Sequence, residues 1–429
     1  MPAMFRKVPR LRGGRSGVAR LVQECDPCAP SRSSRRACER EPRGCLQTSR
    51  CKPVRGRAAA APIGGKSVSA DERDPETAGA DVEGVTMGEA RAAAAAWVAQ
   101  YARDQPWFRG AYIAGSTVGL ADGVGLPLGS DVDVMVVRAE AAPPPKPGKF
   151  LYRGALLEVS YLASPDLAAA EAVLASHHLA HSLRVAAILE DPTGSLQDLQ
   201  RRVAAQFAQP EWVWRRCEAV RRSGEAWLSG IDPAAPWHDQ VMSWLFGTGA
   251  TAHILLVAAL RNPTVRLRYL RAREVLGEHG CADLYPELLG LLGCADLPPE
   301  RVLGHVEALG RTFDAAAQAY RTPYRFAADI SPDARPIVVD ASRALIAAGD
   351  HREAVFWVVA TFARCHTILA VDAPDLLRAL APAFDALLGD LGIADRDDLL
   401  QRAAAVRRFL PRLWETAAVL VAAGAPPSA

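Results

Sequence analysis

Apolar residues along this chain change period twice. Glu89 to Arg103 is an Ala-rich stretch at helical spacing, with Trp97 and Tyr101 one turn apart on one face. Short β-prone runs follow. Gly110 to Ala114 is one, and it ends in a Gly115-Ser116 turn. Asp131 to Val137 is another, in which Val132, Val134 and Val136 alternate with Asp131 and Asp133. Ala141 to Lys149 carries four prolines and reads as an exposed loop. Phe150 to Arg153 and Leu156 to Leu162 read as a hairpin closed by Gly154-Ala155. Then come a helix over Pro165 to Ser176, a strand over Val185 to Leu189 and a helix over Ser195 to Phe207.

After Pro210 the strand signals almost stop. Helical periods cover Glu211 to Leu228, Asp239 to Leu260, Thr264 to Gly277, Glu300 to Tyr320, Asp333 to Ala348, Arg352 to Val371, Leu376 to Leu388 and Leu399 to Val421. The stretch from Ala354 to Phe362 is apolar nearly all round, which suits the centre of a bundle. Val241 to Leu260 has no Lys, Arg, Asp or Glu over twenty residues, long enough for a membrane span. Its Gly247, Gly249, Thr248, Thr251, Ser243 and His253 dilute the apolarity, so it reads as a buried central helix and no membrane partner is expected. The pattern predicts an α+β chain with a mixed sheet, followed by an all-helical C-terminal domain. The expected divisions are 1–86, 87–209 and 210–424.

Charge separates the first of these from the rest. The chain has 429 residues and a formal net charge of +2, yet Met1 to Ala70 holds 16 Lys+Arg against 4 Asp+Glu. The remainder holds 34 basic and 44 acidic residues, so the basic pI gives no reason to expect nucleic-acid binding by the main body. The segment before Met87 has no apolar periodicity and reads as disordered. Met87 is the last methionine before the first motif, and the helical pattern begins directly after it. The upstream residues have the composition of a GC-rich open frame, so Met87 is the expected start. Cys25-Asp-Pro-Cys28 could open a zinc set with Cys38 and Cys45, but no His lies nearby and no second CxxC follows. Cys217, Cys281, Cys294 and Cys365 show no ligand spacing and read as reduced thiols of a cytoplasmic protein.

The chemistry concentrates in Gly115-Ser116, a fourteen-residue spacer, then Asp131-Val132-Asp133, with Glu158 on a later strand. Period 2 puts Asp131 and Asp133 on one face, about 7 Å apart along the strand. A third carboxylate from a neighbouring strand completes a negative, hard-oxygen cluster that one or two Mg²⁺ ions would relieve. The Gly-Ser turn offers N–H groups and a hydroxyl to phosphates, with the positive end of a following helix.

This arrangement resembles the nucleotidyltransferase superfamily, whose palm-like core includes polymerase beta and the aminoglycoside nucleotidyltransferases. The matching residues are Ala114-Gly115-Ser116, Ser130-Asp131-Val132-Asp133-Val134 and Leu157-Glu158-Val159, within about residues 110–209. The spacer is slightly longer than usual and holds Gly119, Gly123, Gly125 and Gly129. The resemblance implies that Asp131 and Asp133 hold Mg²⁺, while Glu158 either completes a second metal site or acts as base. It implies Gly115, Ser116 and Ser130 on the nucleoside triphosphate, ATP being expected. The reaction would be in-line attack of an acceptor hydroxyl on the α-phosphate. A small-molecule acceptor, as in antibiotic-modifying members, is the first expectation. Transfer onto a protein, as in toxin–antitoxin members, and a non-catalytic nucleotide-binding module are the alternatives. RNA is disfavoured, because no basic face interleaved with aromatics is present.

Weaker signals surround this core. His177, His178 and His181 read as a solvated helix end, a nucleotide contact or a metal set. Asp191 either points into the cleft or caps the next turn. Arg261, Arg266, Arg268, Arg271 and Arg273 read as a solvated face or a wall for the triphosphate. Trp212 and Trp214 read as packing at the domain junction, and His351 as the polar first turn of a helix.

Overall fold

The structure, a computed structural model, describes residues 84–424 apart from 141–143, 145, 325 and 327–328. The basic segment through residue 83, with its five cysteines, lies outside the described residues. Helix α1 (Met87–Tyr101) opens with a capping box: Thr86 Oγ1 accepts from the Glu89 N–H at 3.3 Å, and Glu89 Oε2 accepts from the Thr86 N–H at 2.8 Å. The Leu126 N–H donates to the Val85 carbonyl at 2.8 Å, so backbone contacts reach two residues ahead of Met87.

The fold is α+β around a mixed five-stranded sheet. Its strands are β1 (Phe108–Ala114), β2 (Val132–Arg138), β3 (Gly148–Tyr152), β4 (Ala155–Ala163) and β5 (Ala187–Glu190), in the spatial order β3-β4-β2-β1-β5. Only β2 and β4 pair in parallel. The β3–β4 hairpin turns at Arg153-Gly154, one residue earlier than the sequence suggests. Both residues have positive φ, 49° and 79°, as a two-residue type I′ turn requires. Lys149 therefore belongs to β3 and not to the preceding loop.

Helix α1 covers one face of the sheet, where Val132, Val134, Val136, Leu157 and Val159 are fully buried. The opposite face carries Tyr112, Val137 and Leu162 against α2 (Ala170–Ala175), α3 (His177–Val185) and α4 (Ser195–Gln206). The single helix expected over Pro165 to Ser176 is split, because Ala169 is extended between a 3-10 turn at Ser164–Leu167 and α2.

The C-terminal region is all helical: α5 (Pro210–Ser229), α6 (Trp237–Ala258), α7 (Arg268–Glu278), α8 (Tyr285–Leu292), α9 (Pro299–Ala319), α10 (Arg335–Val338), α11 (Asp340–Ala347), α12 (His351–Asp372), α13 (Pro374–Asp390) and α14 (Arg396–Gly424). Helix α8, eight residues long, is too short for its period to show in sequence. Helices α6 and α12 are long and apolar enough to cross a membrane. Their most apolar windows are 100% and 83% buried inside the protein, as central bundle helices require. Helix α5 joins the two regions. Its Trp212 lies in the sheet-side core while Val213 lies in the bundle core, and Trp214 packs on Trp414 of α14 with ring centroids 5.3 Å apart. Buried Arg216 ties the junction by donating to the carbonyls of Leu174 at 3.1 Å and Phe207 at 2.6 Å.

The capping box makes a direct prediction. Thr86→Ala should lower equilibrium stability by about 1 kcal/mol, with Thr86→Ser near wild type. Guanidinium unfolding followed by circular dichroism checks this, and an unchanged midpoint in the alanine variant would show the cap to be idle.

Candidate metal centre

Strand register assembles the site. Across the sheet, Ala114 of β1 faces Asp133 of β2, Asp133 faces Glu158 of β4, and Glu158 faces Lys149 of β3. These four side chains form a row on one face, with strands about 4.8 Å apart. Asp131 lies two residues before Asp133, on the same face and just ahead of β2. Ligand oxygens of Asp131, Asp133 and Glu158 all lie within 4.8 Å of one another. The expected acid trio is thus brought together, and it could hold a metal ion.

Gly115 makes room for it. Its φ is +82°, and a Cβ there would lie 1.7 Å from Asp133 Oδ2. No side chain fits without displacing that carboxylate. The helix expected after Gly115-Ser116 does not form. Residues 116–119 are turns and 120 a bend, and Arg91 of α1 donates to the carbonyls of Val118 at 2.9 Å and Leu120 at 2.5 Å. The glycines of the spacer disfavour a helix there, so no helix dipole points at the site. Ser116 is exposed on the turn. Ser130 is half-buried, with its N–H donating to the Pro127 carbonyl at 2.9 Å. Buried Thr117 reaches the Asp131 carbonyl at 3.5 Å.

Two lysines enter the acid cluster. Lys149 Nζ donates to carboxylate oxygens of both Asp131 and Glu158. Lys146 Nζ donates to Glu158 and, at 3.2 Å, to Asp329, which accepts from Arg364 of α12 at 3.1 Å. Little of this is wet: side-chain exposure is 10% for Lys149, 18% for Asp131 and 16% for Glu158. Burial raises the proton affinity of Asp131, with Lys149 opposing it. Burial also raises that of Asp133, and the charges of Asp131 and Glu158 push it higher. Burial acts on Glu158 in the same direction, yet the ammonium groups of Lys149 and Lys146 outweigh it and hold Glu158 below the ordinary carboxylate range. Among the described residues, no side chain donates a hydrogen bond to Asp133.

Lys146, Lys149, Asp329 and Arg364 are the residues that sequence reasoning missed. A signal for Lys149 existed. With the hairpin turn at Arg153-Gly154, Lys149 faces Glu158. With the turn at Gly154-Ala155, it would face Ser160.

The five arginines do not form one wall. Arg266 alone approaches the acids, donating to the Gly129 carbonyl at 3.1 Å and lying within the field of Asp131. Arg261 pairs with Glu278, Arg271 with Glu274, and Arg273 with Asp350 and Glu353. Arg268 is buried with its guanidinium 3.8 Å from the Phe356 ring centroid. The histidines do sit at a helix end, with His177 and His178 opening α3, but they are half-buried rather than solvated. His177 and His178 lie with ring centroids 3.6 Å apart, tilted by 45°, and face His253 of α6 at 6.2 and 6.4 Å. With Ser223 and Arg268 they line a cavity of about 20 Å³, the space of one water. Among the described residues, no second group of His, Cys, Asp or Glu comes close enough to hold a metal. Asp191 caps, with Oδ2 accepting from the Gln197 N–H at 2.9 Å in the first turn of α4. His351 is the first residue of α12, as expected.

Two predictions follow from this geometry. Gly115→Ala should weaken divalent-ion binding at the acids by tenfold or more, because its Cβ displaces Asp133; Mn²⁺ titration read by electron paramagnetic resonance measures it, and wild-type affinity would refute the steric argument. The second concerns pH. Burial, reinforced by neighbouring imidazoles and Arg268, keeps His177 and His253 neutral, and burial brings His181 and His366 down to about 4. An unfolded histidine binds its proton near 6.5, so the unfolded state takes up protons first as pH falls. Stability should decline from about pH 6.5 towards pH 4, and replacing His253 with Gln should flatten that decline. Unfolding midpoints across this range test it; a curve no shallower in the variant would remove His253 from the cause.

No protein-family model matches the chain, and no curated protein matches it, so the functional reading rests on the centre's own geometry.

Proposed function

We propose that the chain is a metal-dependent nucleotidyltransferase. It moves a nucleoside monophosphate from a nucleoside triphosphate, with ATP as the expected donor, to a hydroxyl of a small-molecule acceptor, and it releases pyrophosphate. One observation carries this reading: Asp131, Asp133 and Glu158 converge within 4.8 Å on adjacent strands. They are reached in the order strand, Gly-Ser turn, Asp-x-Asp strand and Glu strand, which is the order of the polymerase-beta-like palm.

The donor set suits a hard cation, since every ligand atom is a carboxylate oxygen. Asp131 and Asp133 would hold Mg²⁺, which when bound supplies charge neutralisation at the reacting phosphate. Lys149, Lys146 and Arg266 add positive charge beside the acids, where a triphosphate would bind. The exposed turn at Ser116 offers backbone N–H groups to its outer oxygens. In the reaction the acceptor oxygen bonds to the α-phosphorus, the bond from that phosphorus to pyrophosphate breaks, and the hydroxyl proton leaves to a base. Glu158 is a weak base while two ammonium groups bond to it, so this reading gives it the role of ligand and charge partner first.

Asp131→Asn and Asp133→Asn should each cut pyrophosphate release by at least about 10²-fold while the fold is kept. Glu158→Gln should lower Mg²⁺ affinity and turnover together. Small-molecule pools incubated with the protein, ATP or GTP and Mg²⁺, then analysed by mass spectrometry, supply the assay. Full turnover in Asp133→Asn with Mg²⁺ still required would sink the reading.

A further inference from the structure

We infer that Lys149 acts as a permanent cation at the acidic centre, so that the site takes one divalent ion rather than two. This rests on the metal-dependent reading above and names the stoichiometry of that same site. A two-ion centre needs its ions about 3.5–4 Å apart with a carboxylate bridging them. Here the place between Asp131 and Glu158 is filled by the Lys149 ammonium, which donates to both.

That position is built in and not a chance of a flexible side chain. Lys149 sits within β3 and directly opposite Glu158 in the strand register, and its side chain is 10% exposed. Four strands carry the row in which it stands, so register fixes the face it presents, and its burial beside Asp131 and Glu158 keeps the ammonium among the acids. Asp133 stays open at the other end of the row, with Gly115 giving its carboxylate room and no described side chain donating to it. Asp133 and Oδ1 of Asp131, which Lys149 does not take, then make one place for a dication, while both Glu158 oxygens accept from lysines.

Charge points the same way. The three carboxylates carry three negative charges, and Lys149 and Lys146 return two. One dication leaves the centre at plus one, a charge that a bound triphosphate absorbs. Two dications would leave plus three in a mostly buried site, with an ammonium group in contact with the same oxygens.

Counting bound Mn²⁺ on the full chain, in the presence of a non-hydrolysable ATP analogue, tests the inference by electron paramagnetic resonance. The wild type should saturate at one Mn²⁺ per chain that is lost in Asp133→Asn. Lys149→Met should bind two, and Lys149→Arg one. Two ions in the wild type would overturn the inference while leaving the metal-dependent reading standing. One ion in Lys149→Met, bound as in the wild type, would also overturn it. No ion that depends on Asp133 would overturn both. Should Lys149→Met fail to fold, the wild-type count decides alone.

Discussion

The centre of this molecule depends on repulsion between three carboxylates held together by backbone pairing. Two unit charges about 5 Å apart at an effective dielectric of 20 repel by about 3 kcal/mol. Three such pairs together rival the whole stability of a typical domain, about 5–15 kcal/mol. Such a trio needs cations beside it or a proton on one of the acids, and Asp133 is the acid whose proton is favoured. Lys149 meets two of the acids and Lys146 meets one. The rest of the sheet can be seen as what keeps these charges in register.

That register is anchored from behind. Each acid alternates with a residue of the opposite face, and those residues, Val132, Val134, Leu157 and Val159, are fully buried against α1. A one-residue slip of β2 would turn the valines to the charged face and the acids into the core. The apolar face therefore specifies the polar one. The helical region then closes the charged end. Arg364 of α12 pairs with Asp329, which holds Lys146. Arg266 and Ala341 close on Gly129, whose φ of +74° and missing Cβ allow the approach. Stability of the bundle and charge balance at the acids are thus one problem, because the same ion-pair chain crosses from one region to the other.

Much of this was legible in the sequence, and what was not has physical causes. The alternation of Val132, Val134 and Val136 with Asp131 and Asp133 reveals both strand and site, because burial on one face and charge on the other leave a period that cannot be mistaken. The long helices α5, α6, α9 and α12 carry enough turns for their period to average out noise. The failures are local. Gly115 reads as a phosphate turn, yet its first structural role is steric relief for Asp133. The histidines read as a surface cluster because His253, their partner, lies some seventy-five residues on. The arginines read as one patch because linear proximity hides five different partners. Lys149 is hidden because a hairpin turn placed one residue later shifts its cross-strand partner by two, from Glu158 to Ser160.

The lysines also change how Glu158 can act in the proposed reaction. A general base works best when its proton affinity lies near the operating pH. Lys149 and Lys146 hold Glu158 far below that, despite its burial. Asp133 has the opposite balance, since burial and two like charges favour its proton and outweigh the opposing charges of Lys149 and Lys146, neither of which bonds to it. A bound dication would reverse this at Asp133, because the ion's charge offsets the repulsion from Asp131 and Glu158. The carboxylate that gains most from metal is therefore the one the lysines do not touch. Glu158 gains least, as its charge is already compensated. The site divides into a lysine-neutralised half and a metal-seeking half along one row of a sheet, and the division comes from which strand positions face one another.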